Sequence, residues 1–270
     1  LLDVLAYNTY YTSFNANMSV NETFLDSATL RDNVVARAKE LGYTPRSAVA
    51  AAAAVNLNVT LSGVNLPQSV FLKRGNSFLT NVDETVYQYV LLDDVQANVL
   101  PDNSINFTDV KIYEGLYISN TYTVPAYTGS YSILLQNQNI DTSSIRINVY
   151  ESSNSSSFEK FVQSDNILNV GATSSTYFVT EVEDENYKIT FGDGIFGKKL
   201  IAGQVVEISY LTTNADATNG ASVFTYNGLI TDVAGNTSFT VAVNTVTTLT
   251  KAFGGAGIES IESIKQNAPA

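Results

Sequence analysis

The chain has 270 residues, 44% hydrophobic and 11% aromatic, so it is long and apolar enough to fold around a substantial core. Its 14 Lys and Arg oppose 26 Asp and Glu, and the resulting net charge of −12 argues against sequence-independent nucleic-acid binding. Cys and His are absent, which excludes disulfides, thiolate or imidazole metal sites and catalytic triads that use either residue. No apolar run approaches the length of a membrane span. We therefore expect no enzyme, no cofactor, no small-molecule substrate and no membrane insertion.

Residues 1–54 are predicted to form a helical region. Four aromatic side chains share one face of a first helix: Tyr7, Tyr10, Tyr11 and Phe14. Ser19 and Glu22 have the spacing of a capping box, which predicts a second helix from there to about Leu41. Gly42 stands where a left-handed C-terminal cap is needed, and Pro45 follows as a stop.

Residues 55–129 are predicted to form a first β unit. Apolar and polar residues alternate from Val55 to Leu61, as in a half-buried strand. The alanine-rich run from Ala48 to Ala54 extends a short helix or leads into that strand. Short apolar segments between Gly, Asn and Pro breaks predict further strands in an antiparallel sandwich-like or barrel-like arrangement.

Residues 130–213 are predicted to form a second β unit around a glycine-rich hairpin. Strands at Tyr187–Phe191 and Gln204–Leu211 flank a loop from Gly192 to Gly203, whose glycines permit positive φ angles. A phosphate cradle would need a helix after the loop, and a strand follows instead. Calcium would need more acidic ligands at the proper spacing than Asp193 alone. Ile195 and Phe196 are expected to fold back on the sheet or to meet another chain.

Residues 214–270 are predicted to form a β extension and a C-terminal helix. Valine and threonine dominate to about Thr250, and after a glycine-rich turn Ile258, Ile261 and Ile264 are three residues apart. The chain begins without Met and ends at Ala-Pro-Ala, so we expect a piece of a longer polypeptide. The predicted fold class is α+β, mainly β.

Two motifs carry a resemblance to a known family. The first combines Phe191, Gly192, Asp193 and Gly194 with Phe196 and Gly197. The second follows the β extension and includes Gly254, Gly255, Glu259, Ala268 and Pro269. Together with three N-terminal segments, these motifs resemble the baseplate J-like family of contractile-tailed phages; the segments are Leu2–Tyr7, Asn21–Ala28 and Leu41–Pro45. The long form of the Phe191–Gly197 motif resembles the ring-forming wedge subunit of T4-like phages.

The resemblance implies a structural protein of the phage virion, located in the tail baseplate after assembly in the host cytoplasm. It implies a ring around the tail hub that couples host contact to sheath contraction, with partners among its own copies and other wedge and hub proteins. Alternatives are a receptor- or carbohydrate-binding β module of a tail fibre or adhesin, and a glycosidase. Apolar residues near the chain ends or in the glycine-rich loop are the expected subunit contacts: Tyr7, Tyr11, Phe14, Ile195, Phe196, Ile258 and Ile261.

Overall fold

A computed structural model describes residues 2–63, 66–164, 170–235 and 237–268. Helices lie near both ends of this range, and β-strands occupy the middle. The helices are α1 (Leu2–Asn21), α2 (Arg31–Glu40) and α3 (Ile261–Asn267). The first ten strands are β1 (Ala52–Leu61), β2 (Ser69–Leu72), β3 (Ser77–Val82), β4 (Thr85–Val90), β5 (Val95–Asn98), β6 (Ser104–Glu114), β7 (Leu116–Thr123), β8 (Ser132–Leu135), β9 (Ile140–Tyr150) and β10 (Phe158–Gln163). The others are β11 (Thr176–Glu181), β12 (Tyr187–Phe191), β13 (Val205–Thr212), β14 (Thr225–Tyr226), β15 (Ile230–Thr231), β16 (Ser238–Phe239) and β17 (Val241–Phe253).

The first β assembly consists of two sheets that share one core. A six-stranded sheet has the order β14-β3-β4-β6-β1-β17, and a four-stranded sheet has the order β16-β15-β2-β5. The predicted strand at Val55–Leu61 lies within β1, whose residues Val55, Leu57, Val59 and Leu61 are buried in this core. Alternation along the chain therefore identified the inward face of a central strand correctly.

The second β assembly is one seven-stranded sheet, in the order β7-β13-β9-β10-β11-β12-β8. Its strands pair antiparallel except for a short parallel contact between β10 and β11. Side chains from β8 to β13 meet in a single cluster, so the sheet curls around its own core. The α+β, mainly β fold class with barrel-like units is confirmed.

The prediction that Tyr187–Phe191 and Gln204–Leu211 form a hairpin is wrong. β12 pairs with β11 and β8, whereas β13 pairs with β7 and β9. The glycine-rich loop is a crossover between separate parts of the sheet. Period-two alternation shows which face of a strand is buried, but it does not show which strands pair with it. The hairpin prediction failed for this reason.

The chain passes from the first assembly to the second at Gly115. Strands β6 and β7 are separated by Gly115 alone, which has φ +128°. β7 pairs with β13, so it lies in the seven-stranded sheet although the sequence placed it in the first β unit. β17 pairs with β1, so residues 241–253 return to the first assembly.

The capping box predicted at Ser19 and Glu22 is also wrong. Ser19 lies inside α1, which continues to Asn21. The Glu22 carboxylate instead accepts hydrogen bonds from the backbone N–H groups of Thr29 and Leu30 and from the side chains of Thr29 and Asn33. Led by the bonds from the Thr29 and Asn33 side chains, these interactions lower the pKa of Glu22 to about 2. The carboxylate thus fixes the two residues before α2 and lies near the N-terminus of that helix, where the helix dipole favours a negative charge.

The C-terminal cap predicted at Gly42 has the expected geometry. Gly42 has φ +83°, its N–H donates to the carbonyl of Lys39, and the N–H of Tyr43 donates to the carbonyl of Ala38. This pair of bonds is a Schellman motif, in which glycine takes the left-handed position at no steric cost.

The last helix begins three residues later than the isoleucine spacing suggested. Ser260 caps α3 by accepting a hydrogen bond from the N–H of Ser263, so Ile258 and Glu259 precede the helix. α3 packs on α2 in a small apolar cluster that includes Val34, Ala38 and Ile264.

Candidate assembly surfaces

The described part of the chain gives no support for a metal site or for a membrane-spanning helix. Within it, no group of three or more Asp or Glu side chains is placed to hold a metal ion. No helix in the same ranges is both long enough and apolar enough to cross a membrane.

Helix α1 is the most unusual feature of the molecule. It has 20 residues, and none of them is buried. Large apolar side chains project from it into solvent, among them Tyr7 at 64% exposure, Tyr10 at 67% and Phe14 at 54%. Within the described residues, the ring contacts of Tyr7 and Tyr10 are to Tyr11 of the same helix, and the Tyr7 and Tyr11 centroids are 4.5 Å apart. Among the described residues, none buries a side chain of α1.

The exposed side chains of α1 follow the repeat of a coiled coil. A spacing of three and four residues relates Val4, Tyr7, Tyr11, Phe14 and Met18, which we call the α1 seam. This repeat keeps one apolar stripe facing a partner helix. Tyr7, Tyr11 and Phe14, which the sequence pattern placed on one helix face, are the central residues of the seam, and Val4 and Met18 extend it at both ends. α1 presents a surface suited to packing against another helix.

The glycine-rich loop, residues 192–203, is held in shape by its own backbone. The Asp193 carboxylate accepts hydrogen bonds of 2.9 Å from the N–H groups of Ile195 and Phe196. These two bonds, Phe196 first and then Ile195, lower the pKa of Asp193. Gly194 and Gly197 have φ +95° and +90°, and the N–H of Gly194 donates to the carbonyl of Gly197. Asp193 thus closes a turn.

One end of this loop is anchored while its tip is exposed. Phe191 is buried against the rings of Tyr131 and Phe161, and the N–H of Gly197 donates to the carbonyl of Gly171. The side chains at the tip face solvent, with Ile195 69% and Phe196 45% exposed. Of the two outcomes expected for them, folding back on the sheet is not observed. They remain available to another chain.

Replacing Gly194 by Val is expected to cost about 1–3 kcal/mol of stability, because a β-branched residue resists the left-handed conformation. Asp193→Asn should be milder, since the amide oxygen still accepts a backbone N–H and Asn favours such turns. Thermal or denaturant unfolding checks this order. Calorimetry that found tight calcium binding in the parent chain and none in Asp193→Asn would contradict a turn role for Asp193.

The second family motif makes close contacts with the loop that holds Ala215 and with the segment at Tyr43 and Arg46. A Cβ on Gly255 would lie 2.2 Å from the carbonyl oxygen of Ala215, so the approach requires glycine. Glu259 is 5% exposed, and its carboxylate accepts from the N–H of Arg46 and from the hydroxyl of Tyr43, with Ser263 and Asn267 as further donors. Burial opposes ionisation, yet these hydrogen bonds outweigh it and lower the pKa of Glu259.

The remaining predicted residues are placed in different surroundings. Ile261 packs half-buried against the α2–α3 cluster, and Ala268 is buried in it. Ile258 is half-buried before the helix. Pro269 lies outside the described residues. The structure therefore leaves α1 and the loop tip as the exposed members of the predicted contact set, and Ile258 and Ile261 as half-buried ones.

The sequence did not predict two ion pairs that connect distant parts of the chain. Arg31 of α2 forms a bidentate ion pair with Glu181 of β11, with distances of 2.7 and 3.1 Å, and also donates to the carbonyl of Glu259. Arg74, in the turn before β3, donates to Glu207 of β13 at 2.7 Å. Their partners are more than 100 residues away, and no local pattern marks such pairs.

Two comparisons with known proteins find similar sequences. Residues 120–226 match the family model of the third domain of bacteriophage baseplate wedge protein gp6. The chain is also similar to baseplate wedge protein gp6 of Enterobacteria phage T4, with 28% identity over 251 residues that cover 86% of this chain and 36% of the relative. The chain thus spans about a third of the length of that relative. These two matches support a relationship between the chain and the baseplate wedge proteins of T4-like phages.

Proposed function

We propose that this chain is a structural part of a baseplate wedge in a contractile phage tail. In this role its copies join, with other wedge and hub proteins, into a ring around the tail hub, and the ring couples host contact to sheath contraction. The chain is assembled in the host cytoplasm and resides in the virion. The similarity to the T4 baseplate wedge protein supports this proposal at the level of a structural wedge component.

The observation that supports the proposal most strongly is that no residue of α1 is buried by the described remainder of the chain. An isolated helix rich in weak helix formers such as Asn, Thr and Tyr is marginal in water, and most of the stability of helices in proteins comes from an apolar face buried against other elements. α1 has 20 residues with none buried, and its only acidic or basic side chain is Asp3. Such a helix is stabilised by a partner, and the α1 seam is the face that a partner helix would cover.

The glycine-rich loop supplies a second, smaller surface. Its backbone is fixed by the hydrogen bonds of Asp193 and by the anchor at Gly171, so Ile195 and Phe196 are presented on a rigid support. Preorganised apolar side chains lose little conformational entropy on binding. The net charge of −12 favours partners that present basic patches.

Single alanine substitutions at Tyr11 and Phe196 are expected to impair assembly while leaving the melting of the isolated chain nearly unchanged. Both side chains are exposed, so truncation removes little packing within the chain. An aromatic anchor at an interface contributes roughly 2 kcal/mol or more. Co-sedimentation with the neighbouring baseplate proteins measures the loss.

A matched control is Tyr43→Phe, which removes the hydrogen bond to Glu259 and should lower the melting temperature without a specific effect on assembly. If Tyr11→Ala and Phe196→Ala assembled as the parent does but melted much earlier, both residues would belong to the core of the chain and the proposed surfaces would be wrong.

A further inference from the structure

The chain contains two Asn-Gly sequences, Asn219-Gly220 and Asn227-Gly228, and the structure places them in opposite surroundings. In an Asn-Gly sequence the backbone nitrogen of the glycine can attack the carboxamide of the asparagine, because glycine has no side chain to hinder the approach. The nitrogen loses its proton to hydroxide, a C–N bond forms to the carboxamide carbon, and ammonia leaves. Water then opens the resulting cyclic imide to aspartate or isoaspartate.

Hydrogen bonds hold both reacting groups of Asn219-Gly220. The Asn219 side-chain amide donates to the carbonyl of Gly255 at 2.9 Å, and its oxygen accepts from the N–H of Gly255 at 3.0 Å. The N–H of Gly220 donates to the carbonyl of Ala252 at 2.7 Å. Closure of the imide at Asn219 would therefore require these three bonds to break.

Both reacting groups of Asn227-Gly228 are free of such bonds. Asn227 is exposed, and no hydrogen bond within the described ranges involves its side chain or the N–H of Gly228. The backbone of Asn227 is held, since its N–H donates to the carbonyl of Ser77 and its carbonyl accepts from the Ser77 hydroxyl. The side chain is thus free to rotate towards the next nitrogen while the main chain of Asn227 stays in place.

Packing requires glycine at residue 228. A Cβ there would lie 2.0 Å from Oδ1 of Asn76 and 2.8 Å from the ring of Tyr226. The same Oδ1 accepts from the N–H of Leu229 at 2.7 Å and from the hydroxyl of Tyr226 at 3.2 Å. A larger residue would displace these contacts. The close approach to Asn76 therefore demands the one residue that leaves the Asn227 carboxamide open to attack.

We propose that Asn227-Gly228 is a site of self-modification, at which the folded chain converts Asn227 to aspartate or isoaspartate while Asn219 is protected. The reaction consumes water and releases ammonia, and it uses no other reactant. Residues 227–229 join β14 of the six-stranded sheet to β15 of the four-stranded sheet. Isoaspartate lengthens the backbone of this link by a methylene group, whereas aspartate adds only a negative charge.

Peptide mass spectrometry of the full chain, incubated at neutral and mildly alkaline pH, tests the proposal with Asn219 as the internal control. We expect the folded chain to react about tenfold or more faster at Asn227, because the bonds around Asn219-Gly220 must first break. The rate at Asn227 should rise with pH, since the attacking nitrogen must lose its proton.

Unfolding provides the control for local sequence. In guanidinium chloride the two sites should react at similar rates, because both consist of the same two residues and neither retains its hydrogen bonds. Asn227→Gln should remove the product at residue 227, since the longer side chain has to close a larger ring. Equal rates at the two sites in the folded chain would overturn the proposal. So would the absence of product at Asn227 in the folded chain under conditions in which the unfolded chain reacts.

Discussion

Replacement of Gly192 by Ala is expected to destabilise the chain by about 3 kcal/mol or more, because the added methyl group meets backbone and not a flexible side chain. A Cβ at this position would lie 2.1 Å from the carbonyl carbon of Gly197 and 2.6 Å from its Cα. The loop would have to open at the point where Gly192 bridges to Lys199, next to the buried ring of Phe191. Denaturant unfolding of the purified chain measures the change.

Gly257→Ala is the matched control for this substitution. No atom lies within 4 Å of a Cβ placed there, and its φ lies outside the left-handed range. Alanine at residue 257 should change stability by no more than about 1 kcal/mol, in either direction. Equal destabilisation by the two substitutions would show that the close approach of Gly192 and Gly197 is not a determinant of the loop.

Truncation of Arg31 to Ala should cost about 3–5 kcal/mol, since it leaves a buried carboxylate without its cation. The Glu181 side chain is 3% exposed, and Arg31 is its bidentate partner. Arg37→Ala on the same helix is the control. Its pair with Glu40 is solvent-exposed at 39% and 61%, and such pairs contribute about 0–1 kcal/mol.

The loss in Arg31→Ala should depend on pH. Burial raises the pKa of Glu181 in the native chain, although Arg31 opposes the shift. Without Arg31 the native pKa rises further, so the folded variant holds a proton that the unfolded chain releases. Stability of the variant should therefore fall as pH rises through the unfolded pKa of Glu181 towards the folded one, and recover below it. A deficit in unfolding free energy that stayed constant from acidic to neutral pH would contradict this role of Glu181.

The sequence predicted those elements whose signals are local. Alternation at Val55–Leu61 identified a strand with the correct buried face, and Gly42 predicted a helix end because the left-handed cap needs glycine. The family motif at Phe191–Gly197 also has a local explanation. Asp193 closes a turn, Gly194 and Gly197 take positive φ, and Gly192 allows the close approach of backbone.

Features that depend on distant partners were not predictable in the same way. The crossover between β12 and β13 was interpreted as a hairpin because two alternating segments and a glycine-rich loop are the usual signs of one. Glu22 was interpreted as part of a capping box with Ser19, whereas its partners lie downstream at Thr29 and Asn33. Among the candidate contact residues, the sequence showed that Tyr7, Tyr11 and Phe14 share a face, but not that α1 has no buried residue in the described structure.

Hydrogen exchange of α1 tests the central claim most directly, namely that this helix is completed by assembly. In the isolated chain, the amides of residues 2–21 should exchange quickly, because no side chain of α1 is buried. In the assembled baseplate, the same amides should exchange at least about 100-fold more slowly, since opening the helix would then require loss of the partner. Amides of β1 should be protected in both states. Equal exchange of α1 in the isolated and assembled protein would contradict the account.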